Sequence, residues 1–119
     1  MISKKNIAEA IIQKAEKEHR DVRIMTTMVE GFEKPEKIMF KKEEQGGFAP
    51  DVMLRSNDVT ELYEIDLSQD YQLEKWRLFS RFSNEENRSF SIVTHEDHLH
   101  PLKDFLNHNN IEARIFYFA

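Results

Sequence analysis

The chain has 119 residues, a net charge of −5 and no cysteine, and it is long enough for one domain with an apolar core. The absence of cysteine excludes disulfides, thiolate zinc sites and cysteine nucleophiles, and the acidic charge argues against a protein that coats DNA indiscriminately. No segment approaches the ~20 apolar residues of a membrane span, and the charged amino terminus does not resemble a secretory signal. These features predict one cytoplasmic domain over residues 1–119.

The first part of the chain predicts a helix and then two strands. Apolar residues recur at helical spacing within residues 4–18, which is typical of an amphipathic helix. Residues 21–32 are rich in β-branched side chains, and residues 37–42 form a second apolar run after a turn, so a hairpin is expected. Residues 43–50 hold two of the three glycines and predict a mobile loop.

A second hairpin is predicted from residues 51–55 and 60–67. Both segments are apolar enough for strands, and the polar residues 56–58 between them favour a three-residue turn. The two strands bring together carboxylates that are far apart in the sequence.

The second half of the chain alternates helices and strands. Periodicity predicts a helix over residues 68–82, capped by Ser68 or Asp70, a strand over residues 88–95, a helix over residues 98–110 and a last strand over residues 111–118. The order is therefore helix, three or four strands, helix, strand, helix, strand. Such an order predicts an α/β sandwich with a mixed sheet, antiparallel in its first half and parallel in its second.

Three acids lie around the second predicted hairpin. Glu64 and Asp66 share one strand face, interpreted as solvent-facing, while the apolar residues between and beside them form the other face. Carboxylates held close together repel one another, and a hard divalent cation relieves that repulsion. Asp51 and Glu64 are therefore candidate ligands of Mg²⁺ or Mn²⁺, with the carbonyl of Ile65 and waters completing the coordination. The alternative is a set of solvated acids at a turn and a strand end.

Taken with the order of elements, these acids resemble the PD-(D/E)XK nuclease superfamily, whose core is a helix, three antiparallel strands, a helix and a parallel strand. The resemblance covers nearly the whole chain and implies a restriction endonuclease-like three-layer sandwich with Asp51 and Glu64 as metal ligands. Asp66 stands at the position of the motif lysine, where a carboxylate is able to ligate a second ion or polarise a water. The implied activity is metal-dependent hydrolysis of DNA or RNA.

The segment "QLEKW" is similar to the Q-x-x-x-Y motif of some exonucleases in that superfamily. Gln72 and Lys75 are three residues apart and are expected to share a helix face. On the resemblance, Gln72 steadies a phosphate or a water, and Lys75 supplies the cation that is missing at Asp66. The alternative is a solvated helix face beside Trp76, which is predicted to be buried because large apolar residues recur around it.

Other interpretations stay open. The missing motif lysine and the acidic charge also fit a catalytically inactive descendant of the nuclease fold that binds nucleic acid or a protein, and an unrelated α/β interaction domain is a third possibility. A homodimer is expected as well, because residues 24–28 and 114–118 carry apolar side chains on both strand faces and need cover on both. Helices that supply this cover would leave a monomer.

Overall fold

Five strands and three α-helices make up the part of the chain that a computed structural model describes, which is residues 2–18, 21–39 and 46–119. The elements in chain order are α1 (Lys4–Glu18), β1 (Arg23–Thr26), β2 (Val52–Ser56), β3 (Val59–Asp66), α2 (Leu73–Phe82), β4 (Arg88–His95), a 3₁₀ turn (Glu96–His98), α3 (Leu99–His108) and β5 (Arg114–Phe118). The bounds of α1 and β4 are those that the sequence predicts. None of these helices is long and apolar enough to cross a membrane.

The sheet is open and mixed, with its strands in the spatial order β1-β2-β3-β4-β5. The pairs β1–β2 and β2–β3 are antiparallel, whereas β3–β4 and β4–β5 are parallel. Helices α2 and α3 make the two crossovers that parallel neighbours require. The α/β class and the change from antiparallel to parallel pairing are therefore confirmed.

Helices cover both faces of the sheet. On one face α1 buries Ala8 and Ala15 in a cluster with Val52, Leu54 and Ile65. On the other face α2 and α3 form the larger cluster. It includes Met53, the β2 residue between Val52 and Leu54. Because successive strand residues point to opposite faces, the buried run from Val52 to Leu54 reaches both helical layers. The layers are therefore helix, sheet and helices.

The predicted hairpin of residues 21–32 with residues 37–42 is wrong. β1 is only four residues long, and its partner is β2. The strand ends at Thr26, whose hydroxyl accepts a hydrogen bond from the N–H of Met28 at 3.0 Å and donates one to the carbonyl of Asp51 at 2.7 Å. Of residues 37–39 only Ile38 forms a bridge, with Phe48. Residues 40–42, and residues 43–45 of the predicted loop, lie outside the described residues.

Two local predictions also need correction. The β2–β3 turn has two residues rather than three, because Ser56 pairs with Val59 and Asn57 takes a left-handed φ of 55°. Helix α2 begins at Leu73 and not near Ser68 or Asp70. The carboxylate of Asp66 accepts the N–H of Asp70 at 3.1 Å and so stabilises a turn where the sequence predicts the first turn of the helix.

Candidate functional site

The carboxylate of Glu64 has polar contacts with three other residues. Glu64 lies on the face of β3 that α2 covers, and it is 4% exposed. Its Oε1 accepts a hydrogen bond from the indole N–H of Trp76 at 3.1 Å and lies 2.9 Å from Nζ of Lys75. Its Oε2 accepts the backbone N–H of Asp51 at 2.9 Å. The first turn of α2 and the start of β2 therefore hold this side chain from two sides.

Asp51 lies directly before β2, beside the end of β3. Its carboxylate Oδ2 accepts the backbone N–H of Ile65 at 2.9 Å and lies 3.8 Å from Nζ of Lys4. Its carbonyl accepts the hydroxyl of Thr26, as described above. With its N–H bonded to Glu64, Asp51 is fixed through its backbone and its side chain at the same time.

The electrostatics of the pair follow from burial and proximity. Burial raises the pKa of Glu64, and the nearby carboxylate of Asp51 raises it further, while the charge and the hydrogen bond of Lys75 act in the opposite direction. The ammonium of Lys75 therefore offsets only part of the cost of two neighbouring acids. A further cation at this place would favour the ionised form of Glu64.

Some oxygen atoms of the site have lone pairs that no described donor uses. A carboxylate oxygen has about two lone pairs, so Oε1 of Glu64 is fully used, whereas Oε2 accepts a single bond. No described residue donates to Oδ1 of Asp51. The N–H and C=O of a strand residue point toward the same neighbouring strand, so the carbonyl of Ile65 also points toward the Asp51 side. The β2–β3 ladder has already ended there, at the pair Val52 and Tyr63.

The remaining donor set suits a hard cation of the Mg²⁺ or Mn²⁺ type. Two carboxylate oxygens and one carbonyl are the oxygen ligands such ions prefer, with waters at the other positions. Among the described residues no group of three or more acidic or histidine side chains is placed to hold a metal. The ligands offered here are therefore limited to Asp51, Glu64 and the carbonyl of Ile65.

Asp66 does not join this pair. It is 4% exposed, its Oδ1 accepts the N–H of Asp70, and its Oδ2 is buried without a hydrogen-bond partner among the described residues. The interpretation of Glu64 and Asp66 as solvent-facing is wrong, because α2 and α3 cover the strand face that they share. Thr94, the neighbour of Asp66 in the β3–β4 register, also has a buried hydroxyl without a described partner.

Gln72 and Lys75 bond to different carboxylates. Lys75 contacts Glu64 with a side chain that is 16% exposed, and its Nζ lies 5.8 Å from the ring centroid of Phe79. The exposed amide of Gln72 instead donates to the carboxylate of Asp70 at 3.2 Å. Gln72 is the N-cap residue of α2, and its side chain makes no capping hydrogen bond.

Three contacts of the site have no counterpart in the sequence analysis. They are the indole N–H of Trp76, the ammonium of Lys4 and the hydroxyl of Thr26. Trp76 is 1% exposed, which confirms its predicted burial, and a buried indole N–H needs an acceptor. That requirement was a usable signal for Trp76. Lys4 and Thr26 reach the site only through the arrangement of α1 and β1, which local sequence does not reveal.

Comparison with known proteins gave no match to any family model, curated protein or solved structure. The functional argument therefore depends on the fold and on the contacts of the site.

Proposed function

We propose that the protein is a metal-dependent nuclease with a restriction endonuclease-like fold that hydrolyses phosphodiester bonds in DNA or RNA. The observation that carries the proposal is the placement of Asp51 beside Glu64 at the end of β3, with Lys75 2.9 Å from Glu64. The arrangement of one helix, three antiparallel strands, a helix and a parallel strand agrees with the PD-(D/E)XK resemblance. This resemblance names the same two acids as metal ligands.

The role of each residue follows from the oxygen atoms that it still has free to bind an ion. Asp51, Glu64 and the carbonyl of Ile65 would hold Mg²⁺ or Mn²⁺. When bound, such an ion lowers the pKa of a water and stabilises charge that grows on a phosphoryl oxygen. The indole N–H of Trp76 and the N–H of Asp51 keep the carboxylate of Glu64 in one orientation. A carboxylate that is already held in one orientation has to rearrange less when an ion binds.

Lys75 supplies the positive charge that the chain lacks at position 66. An ammonium has three N–H donors, and the contact with Glu64 uses one of them. The other donors are available to a phosphate oxygen brought to the two acids, and the partial exposure of the side chain lets a substrate reach it. In this proposal Lys75 binds the phosphate and stabilises its charge, while Asp66 supports the turn before α2.

A second candidate function is nucleic-acid or protein binding by the same fold without catalysis. It is favoured by Asp66, which stands where the motif of the resembled family has a lysine. It is also favoured by the ion pair of Lys75, which compensates part of the charge of Glu64 without a metal. The two candidates differ in whether the purified chain cleaves a polynucleotide when Mn²⁺ is present.

A cleavage assay on single- and double-stranded DNA and RNA with Mn²⁺ tests the proposal. We expect Asp51→Asn, Glu64→Gln and Lys75→Met each to lower the rate by at least about 100-fold, because each removes a ligand or a charge at the reacting phosphate. Circular dichroism checks that the folds of the variants match the parent's.

The matched control for Glu64→Gln is Glu61→Gln. Glu61 lies on the same strand, but it borders the cavity on the α1 side of the sheet, so its loss leaves the two carboxylates intact. Cleavage by all three site variants at the rate of the control would overturn the proposal. A parent chain that binds Mn²⁺ and cleaves none of the four substrates would select the binding candidate.

A further inference from the structure

Strand β5 forms one edge of the sheet, and its outer side has no strand partner among the described residues. Its sequence Arg114–Phe118 ends in three consecutive aromatic residues. Phe116 and Tyr117 are 43% and 59% exposed. An edge of this kind presents backbone N–H and C=O groups together with apolar side chains.

The opposite edge, β1, is protected in ways that β5 is not. β1 has only four residues, and its Arg23 forms ion pairs with Glu33 and Glu36. The N–H of Thr26 is also bonded to the carbonyl of Glu33 at 2.8 Å, so a following segment covers that edge. Charges and covering segments are the usual protection of sheet edges, and in β5 no residue after Arg114 is charged or a proline.

A groove of about 420 Å³ adjoins β5 on the α1 side of the sheet. Helix α1 packs mainly over β2 and β3, so it leaves the β4–β5 part of this face open. The apolar wall and floor of the groove include Ile7, Ile11, Tyr63, Phe116 and Phe118. The groove and the edge strand form one continuous surface, which we call the β5 surface.

The charges of the β5 surface are balanced. Two cations, Lys14 and Arg114, and two anions, Glu18 and Glu61, line the same groove. A surface that carries both signs around an apolar centre is complementary to a copy of itself, as a two-fold interface requires. A surface that binds nucleic acid is expected to carry mainly cations, and a surface that binds a basic protein is expected to carry mainly anions.

We propose that the β5 surface binds the β5 surface of a second copy of this chain in a two-fold symmetric dimer. The dimer covers the unpaired edge strand and the exposed aromatic residues together, which no helix of the described chain does. Glu64 and Lys75 lie on the other side of the sheet, where α2 packs, so association leaves the carboxylate site open. The proposal is therefore independent of the nuclease activity.

Sedimentation equilibrium across a range of micromolar concentrations tests the dimer. We expect the parent mass to rise with concentration toward twice 14.2 kDa. Phe116→Lys should raise the dissociation constant at least about tenfold, because it places an unpaired charge on the groove side of β5. Tyr117→Lys should also weaken association, because Tyr117 lies on the opposite side of the same edge strand. Tyr117 is the more exposed of the two, so its variant keeps the test valid if Phe116→Lys folds poorly.

Val59→Lys is the matched control, because Val59 is an equally exposed apolar strand residue, 41% exposed, that does not line the groove. We expect it to dimerise like the parent. A parent mass that stays at 14.2 kDa at every concentration would overturn the proposal. So would a Tyr117→Lys variant that is folded and dimerises as strongly as the control.

Discussion

Glu64 shows how a buried acid is kept in the core of a small domain. Taking a carboxylate out of water is costly unless hydrogen bonds and an opposite charge replace the lost hydration. Trp76, Lys75 and the N–H of Asp51 provide these partners. The pKa of Glu64 is nevertheless raised, because burial and the charge of Asp51 outweigh the compensation. Such an imbalance is typical of functional sites, where a bound ligand completes the charge balance.

Trp76→Phe tests the indole contact at the residue scale. The change removes a hydrogen bond to a buried charged group and leaves space in the core, so we expect the free energy of unfolding to fall by about 2–4 kcal/mol. Urea denaturation measures the loss.

A double-mutant cycle with Glu64→Leu, which leaves no side-chain acceptor for the indole N–H, separates the contact from the packing. If the hydrogen bond matters, the two changes are non-additive by at least about 0.5 kcal/mol. Strict additivity would show that Trp76 contributes only through its volume.

At the scale of elements, the site depends on where β2 and β3 start and end. The register between them places Val52 opposite Tyr63, and the residue before β2 therefore meets the end of β3. A shift of one residue would turn Glu64 away from α2 and toward α1, because side chains alternate along a strand. The two-residue turn at Asn57, with its left-handed backbone, helps fix that register.

Asn57→Val tests the turn at this scale. A β-branched residue is strained at a φ of 55°, so we expect the free energy of unfolding to fall by about 1–2 kcal/mol. Asn57→Gly is the matched control and should leave stability within about 0.5 kcal/mol of the parent, because glycine takes this conformation without strain. Equal stability of the valine and glycine variants, measured by thermal unfolding, would show that the turn does not constrain the register.

At the scale of the whole molecule, the order of elements and the pairing directions were predictable because periodicity and connection length are local properties of the sequence. The partner of β1 was not, since the bond from Thr26 to Asp51 joins residues 25 positions apart. The burial of Asp66 was also missed. Alternation along β3 places Glu64 and Asp66 on one face, but only the packing of α2 and α3 decides that this face is covered.

The contacts of the candidate site were predictable in part. The sequence indicates Asp51, Glu64 and Lys75. In the structure the N–H of Asp51 and the ammonium of Lys75 both contact the carboxylate of Glu64. Gln72 was assigned to the same face because the helix was predicted to begin before it. It is instead the N-cap residue, and its amide bonds to Asp70 rather than to the carboxylates of the site. Helix starts depend on competing turns such as that at Asp66, which propensity alone does not rank.

Calorimetric titration with Mn²⁺ tests the central claim, that Asp51 and Glu64 form a divalent-cation site, most directly. The account predicts saturable binding of one ion per chain, a loss of affinity of at least about tenfold in Asp51→Asn and in Glu64→Gln, and unchanged binding in Asp58→Asn, a control in the exposed β2–β3 turn. No binding by the parent at millimolar Mn²⁺, or equal binding by the parent and the Asp51→Asn variant, would contradict it.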